Sequence, residues 1–266
     1  MRKTGSLTVE TEQMSRSSYD RNVVVEWDDA HRYTPAPRHR RRMILRIIAD
    51  LDVRDCLDAG CAQLYMLQEV VRRHGIVGYG CDISDQVIAK NQRLAPDCNF
   101  LTMDLSRATW PQGRQFDLVI CSEVLEHIPE WRSALSNLVR MTRKYLLITV
   151  PGGKIRPIDR MVGHDYHFQG PELASELQGL GCEIVQLRRW GFPIHSLYKI
   201  LINKLSPEKL YGSFSDTHYG FFRRLFSHTL YMLFYINELS NSGDQLILLA
   251  RNARRGESGT NMINGT

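Results

Sequence analysis

The chain predicts an α/β fold: a doubly wound, mostly parallel seven-stranded sheet with a helical cap inserted before the last strand. Three observations carry this. Seven short apolar runs of strand length are separated by segments with helical periodicity. The first four runs each end in acidic or small residues, at the rim where an open α/β sheet binds its ligand. The connection from about Arg189 to Gly243 is too long for a bare loop and carries helical patterns of its own. At 266 residues and 43 % apolar, the chain can bury one sizeable core. The same composition excludes a disordered chain, a collagen and a disulfide-stapled miniprotein.

Each element follows from its own spacing. Pro37 to Leu51 puts Met43, Ile44, Ile47, Ile48 and Leu51 on one helical face, with Arg38, Arg40, Arg41, Arg42 and Arg46 elsewhere. A first strand ends at Cys56–Leu57–Asp58, and a helix runs to about His74. Ile76–Cys81 is the second strand, Asp85–Leu94 the next helix, Asn99–Met103 the third strand and Phe116–Cys121 the fourth. Trp131, Leu135, Leu138 and Val139 recur at helical spacing. Tyr145–Val150 is the fifth strand, stopped by Pro151–Gly152–Gly153. Pro171 and Gly179 or Gly181 bracket another helix. Cys182–Leu187 and Gln245–Ala250 complete the sheet. Within the cap, Leu197–Leu205 and Phe221–Leu239 read as helices.

The expected organisation is a flexible tail over 1–18, one ligand-binding domain over 19–188 plus 244–251, the cap over 189–243, and a second flexible tail over 252–266. The polar N-terminus lacks the apolar middle of a secretory signal. No apolar window approaches the ~20 residues of a spanning helix. A soluble, cytoplasmic protein is expected. The six cysteines form no CxxC pair and read as buried apolar side chains in a reducing compartment. A net charge of +5 is too mild to mark a nucleic-acid binder. The Arg38–Arg46 run suits a solvated helix face, a phosphate patch or a clamp near a carboxylate, in that order. Only Trp27 and Tyr33 lie close enough to stack with a base, so a nucleic-acid partner is not expected.

The candidate ligand residues stand at four strand ends. Asp58, Gly60 and Cys61 form the first turn, where glycine lets the backbone approach a ligand. Asp82, followed by Ile83, lies 22 residues after Gly60, near the about 20 expected of a carboxylate that grips a ribose diol. Asp104 and Leu105 follow the third strand, placed to meet a purine edge. Cys121 and Glu123 close the fourth. Taken singly, Asp58, Gly60, Asp82 and Asp104 also suit plain turns and solvated strand ends; their joint order favours a ligand.

These motifs resemble those of the class I S-adenosylmethionine-dependent methyltransferases. Their first motif, D-x-G-C-G-x-G, stands here as Asp58-Ala59-Gly60-Cys61-Ala62-Gln63-Leu64. Asp82 in its GCDIS context, Asp104, and the stretch FDLVICSEVLEHIP from Phe116 to Pro129 match the later motifs. The resemblance covers about residues 40–188 and then 245–250, and it implies a Rossmann-like methyltransferase fold with S-adenosylmethionine as methyl donor. Two motif glycines are replaced, by Ala62 and Leu64. A dinucleotide, whose pyrophosphate must lie against that backbone, would suffer more from this than a donor without phosphate. The replacements also fit a non-catalytic scaffold with a degenerate donor site.

The implied reaction is displacement at an activated methyl group, in which alignment supplies roughly 7–11 kcal/mol. An oxygen acceptor also needs its proton removed by a base or its pKa lowered by a metal. Glu123, Glu126 and His127 stand at i, i+3, i+4, on one face if a helix follows the fourth strand. His164 and His167 lie just beyond the fifth. Glu123, Glu126, His127 and His167 therefore form a candidate site for Mg²⁺, Mn²⁺, Zn²⁺ or Fe²⁺. The E-x-x-E-H pattern is similar to that of metal-assisted O-methyltransferases, including ubiquinone-pathway enzymes and small-RNA 2′-O-methyltransferases. Without metal, His127 or His167 is the candidate catalytic base. Tyr198, Tyr211, Phe214, Tyr219, Phe221, Phe222, Phe226 and Tyr231 make the cap aromatic, suited to a small-molecule, sugar or lipid-linked acceptor and to weak peripheral membrane contact beside Lys209, Arg223 and Arg224. An RNA 2′-hydroxyl is the alternative acceptor. The oligomeric state is not readable.

Overall fold

The computed structural model describes residues 28–204 and 218–253. The tail expected at 1–18, that expected at 252–266 apart from Asn252 and Ala253, and the cap residues Lys209, Tyr211 and Phe214 lie outside them; Asn252 ends the last strand rather than opening a tail. A single sheet in the order β3-β2-β1-β4-β5-β7-β6 organises the chain. Its strands are β1 (Asp55–Ala59), β2 (Val77–Asp82), β3 (Asn99–Thr102), β4 (Phe116–Ser122), β5 (Thr142–Pro151), β6 (Cys182–Trp190) and β7 (Gln245–Asn252). β7 runs antiparallel between β5 and β6, and the remaining pairings are parallel, so the mostly parallel sheet expected from the sequence is present. Strand order reverses between β1 and β4, the switch point at which open α/β sheets bind their ligands.

Helices cover both faces because the central strands are apolar on both sides. Val119 and Cys121 of β4, with Leu146, Ile148 and Val150 of β5, face α5 (Trp131–Met141) and α7 (Gly170–Gly179). The alternate residues Leu118, Ile120 and Leu147 face α2 (Pro35–Ile47) and α3 (Tyr65–His74). α1 (Asp28–Tyr33) precedes α2, and α4 (Asp85–Leu94) packs beside β2 and β3. Ser84 caps α4 by accepting from the Val87 amide at 3.2 Å. A short α6 (Pro157–Met161), without a signal in the sequence, follows β5.

The chain between β6 and β7 carries α8 (Ile194–Lys204), α9 (Phe221–Leu233) and a 3₁₀ turn over Phe234–Glu238. Its described part folds back over the face of the sheet that α2 covers. α9 packs along α2, α8 packs on α6, and Phe234 enters the core beside Met43, Ile44 and Trp190. The arginine run on α2 accordingly is only partly solvated. Arg42 and Arg46 clasp Glu238, Arg41 reaches Glu69 of α3 at 3.4 Å, and Arg40 reaches Glu123 at 3.1 Å.

Candidate active site

The first turn is built by hydrogen bonds to β2. After β1 the chain reverses at Gly60, where φ is 82°. The amides of Gly60 and Cys61 both donate to the Cys81 carbonyl, at 2.8 and 2.9 Å. A Cβ on Gly60 would overlap Cγ2 of Val124, so the loops after β1 and β4 touch at this point. Asp82, buried at the end of β2, accepts from the Ala62 amide at 3.1 Å through one oxygen and from the Ser84 amide at 3.0 Å through the other. Asn91 of α4 holds the Ala62 carbonyl at 2.9 Å. Burial, and then the neighbouring Asp82 charge, pushes the Asp58 carboxyl up to about 7.

The two replaced glycines keep a glycine-like path. Ala62 has φ 35° and Leu64 φ 68°, the left-handed region that costs an ordinary residue about 1–2 kcal/mol. Leu64 directs its side chain into the interior, where it is almost fully buried, and opens α3 without a side-chain cap. Cys61 and Cys121 are buried thiols whose pKa values burial raises. Ile83 is exposed beside Asp82, and Leu105 is buried with its carbonyl held by Asn137 at 2.9 Å. Asp104 anchors its own turn, accepting from the Ser106 amide and hydroxyl at 2.9 and 2.7 Å.

At the end of β4 the structure differs from a continuous helix face. Glu123 takes φ 57° and Val124, at φ −129° and ψ −44°, is neither helical nor extended, so helical geometry begins only with the single 3₁₀ turn Leu125–His127. Glu123 turns to other partners: Thr149 Oγ1 donates to one oxygen at 3.1 Å, and Arg40 faces the second. Glu126 points inward. It is fully buried, neither oxygen has a hydrogen-bond partner, and burial followed by the Glu123 charge holds its carboxyl well above the usual range.

Two imidazoles, His127 and His164, stand beside that carboxyl, and His167 lies beyond His164. Ligand atoms of Glu126, His127 and His164 lie within 4.8 Å of one another, and so do those of Asp159, His164 and His167. His127 bonds the Gly163 carbonyl through Nδ1 at 2.9 Å. A carbonyl only accepts, so Nδ1 carries the proton and Nε2 keeps its lone pair. His164 and His167 share a hydrogen bond of 3.0 Å. Asp159 accepts from Lys199 of α8 at 3.0 Å and faces His167 at 3.9 Å. The sequence-based set of Glu123, Glu126, His127 and His167 is thus redistributed: His164 joins Glu126 and His127, His167 is reached through His164, and Glu123 belongs to Arg40. Asp159 and Lys199 had no signal in the sequence, and Arg40 stood out only as one of the Arg38–Arg46 run, because each meets its partner only through the tertiary fold.

Residues 30–187 match the protein family described as a methyltransferase domain. The chain belongs to that family. Its expected place among the class I S-adenosylmethionine-dependent methyltransferases agrees with the sheet order and with the solved structures it resembles. Those include the N-methyltransferase NodS from Bradyrhizobium japonicum WM9 in complex with S-adenosylhomocysteine, at TM-score 0.58 and 15 % identity over 89 % of this chain and 97 % of that one. The [4+2]-cyclase SpnF aligns at TM-score 0.55 and 16 % identity over 91 % and 94 %. At such identities these neighbours speak for the fold alone, and a cyclase among them shows that the fold does not fix the reaction. By sequence, the ubiquinone biosynthesis O-methyltransferase of Coxiella burnetii is 30 % identical over 103 residues, a match covering 37 % of this chain and 40 % of the relative. Among the described residues no helix is long and apolar enough to cross a membrane.

Proposed function

We propose that this methyltransferase-family protein transfers a methyl group from S-adenosylmethionine to an oxygen of a small-molecule, sugar or lipid-linked biosynthetic intermediate. Family membership supports the donor, with Asp58, Gly60, Cys61, Asp82, Ile83, Asp104, Leu105, Cys121 and Glu123 as its candidate surroundings. The observation that carries the oxygen assignment is Glu126: a buried carboxyl without a hydrogen-bond partner, beside the imidazoles of His127 and His164, at the rim beside β4 and β5. The partial likeness to a ubiquinone-pathway O-methyltransferase points the same way.

A divalent cation fits this donor set. An orphaned carboxyl in the interior is costly unless neutralised or coordinated, and carboxylate plus imidazole suits Zn²⁺, Mn²⁺ or Fe²⁺ better than Mg²⁺. Glu126, His127 and His164 would hold it, with His167 and Asp159 adjoining. Bound there, the cation would lower the pKa of an acceptor hydroxyl. The chain's own residues supply the remainder. His127 presents Nε2 with its lone pair as ligand or base, the Gly163 carbonyl fixes that tautomer, and Arg40 offsets part of the Glu123 charge felt at Glu126.

A second reading is a scaffold that has lost the donor. Two observations favour it: left-handed backbone at Ala62 and Leu64, and the engagement of both Asp82 oxygens by backbone amides. Thermal unfolding with S-adenosylmethionine and S-adenosylhomocysteine separates the two readings. Stabilisation that follows RT ln(1 + [L]/Kd) supports the enzyme, and a flat response at millimolar ligand sinks it. Mass-spectrometric detection of methylated hydroxyl compounds, with and without EDTA, then tests oxygen transfer. An RNA acceptor loses ground because Arg40, Arg41, Arg42 and Arg46 already face carboxylates.

A further inference from the structure

α9 turns its apolar side outward. Its inward positions are Ser227, the half-buried Leu230 and, in the turn that follows, the buried Phe234 and Asn237. Outward stand Phe222 at 83 % exposure, Phe226 at 68 %, Leu225 and Met232 at 52 %, and then Leu239 at 84 %. Phe222, Leu225, Thr229, Met232, Ile236 and Leu239 follow one another in steps of three and four, so they line one side of the helix and of the turn beyond it, apolar but for Thr229, whose hydroxyl donates to the Leu225 carbonyl. An exposed apolar stripe of this kind marks a contact surface.

The charges around the stripe select its occupant. From Phe221 to Asn237 there is no acidic residue, whereas Arg223, Arg224 and His228 all lie within it. Arg38 of α2 adjoins, 3.9 Å over the Tyr231 ring and 3.5 Å from His228. The nearest carboxylates are already answered: Asp29 faces Arg224 at 3.5 Å, and Glu238 is clasped by Arg42 and Arg46. A second copy placed on this stripe by a two-fold axis would bring cations against cations. A negatively charged bilayer would not. Phenylalanine and leucine on one side of a helix with arginine at its margins is the composition of a segment lying in the headgroup plane, and thirteen residues, about 20 Å of helix, suit lying there rather than spanning.

We propose that the α9 stripe docks this protein on the surface of an anionic membrane. The surface is independent of the methyl-transfer reading, but if both hold, the acceptor is one that resides in or at the bilayer. α9 rests on α2, and α2 carries Arg40 to Glu123, so the docked face lies one helix away from the candidate site.

Flotation of the full chain tests this with phosphatidylcholine vesicles, plain and with about one third phosphatidylglycerol, at roughly 0.1 M salt. The protein is expected to float with the anionic vesicles and much less with the plain ones. F222S/F226S should lower the partition by about tenfold or more with an unchanged far-UV circular dichroism spectrum, since both rings are exposed. Phe222→Trp should shift its emission to the blue on anionic vesicles. Sedimentation of the wild type with both vesicle types, equal flotation on both, or flotation undiminished in F222S/F226S overturns the proposal. A dimer on size exclusion that F222S/F226S converts to monomer, with no flotation by either, overturns it in favour of a second copy.

Discussion

The guanidinium of Arg40, on the helix before the sheet begins, stands 3.1 Å from the carboxylate of Glu123 at the end of β4. Both side chains are mostly buried, so the pair is only weakly screened. Without Arg40 the Glu123 charge would face the Glu126 carboxyl uncompensated. Arg40→Met should therefore cost about 1–3 kcal/mol in urea unfolding, and E123Q/R40M should recover most of that loss. Additive losses in the double variant would show that the pair is not coupled.

Gly60 offers a sharper steric test. Gly60→Ala must both accept a left-handed backbone and overlap Val124, a combined cost of about 2–5 kcal/mol. Val124→Ala in the same chain removes the overlap but not the backbone strain. The double variant should thus lie between Gly60→Ala and the wild type in thermal unfolding.

At the neighbouring left-handed positions, the two side chains predict opposite results. Ala62→Gly relieves strain while adding freedom to the unfolded chain, and should stay within about 1 kcal/mol of the wild type. Leu64→Gly removes a buried side chain and should lose about 2–4 kcal/mol despite its easier backbone. Denaturant midpoints of the two variants decide this.

Asp58 gives the protein a pH signature. Its carboxyl titrates near pH 7 when folded against 3.8 in the reference state. A raised folded pKa means that the contribution is complete below about pH 4 and is lost as pH rises towards 7. Stability measured by denaturant should show this as a slope of at most about 1.4 kcal/mol per pH unit, absent from D58N. Parallel curves for the two proteins between pH 4 and 7 would refute it.

Cation binding can be read without any acceptor. Calorimetric titration should give heat with Zn²⁺ or Mn²⁺, and E126Q and H164A should each weaken binding by at least about tenfold. E126Q should also fold at least as well as the wild type without metal, because an amide replaces a carboxyl that has no partner. No heat from the wild type, together with EDTA-insensitive activity, removes the metal.

The sheet was legible because each strand combines an apolar run with a turn signal, and the acidic residues Asp58, Asp82 and Asp104 mark three strand ends in the sequence itself. Glu126 and His127 were legible for the same local reason, through E-x-x-E-H, but the sequence put His167 rather than His164 in their set. What the sequence hid was long-range. Nothing in the run Arg38–Arg46 distinguishes Arg40, which meets Glu123, from Arg42, which meets Glu238. Asp159 sits in a helix of five residues, too short for periodicity. The outward aromatic side of α9 has the same spacing as an inward one, and only the fold reveals which way it faces.

β7 runs back beside β6, and Trp190 pairs with Gln245 where the excursion between them departs and returns. Its two ends are joined again by the Phe192 amide donating to Ser242. The intervening chain therefore hangs from a single hairpin mouth. Lengthening or shortening it changes closure entropy only logarithmically, and leaves β1, β2 and β4 in register. This is the place where a lineage could exchange what the molecule touches while the half that holds Gly60 and Asp82 stays as it is.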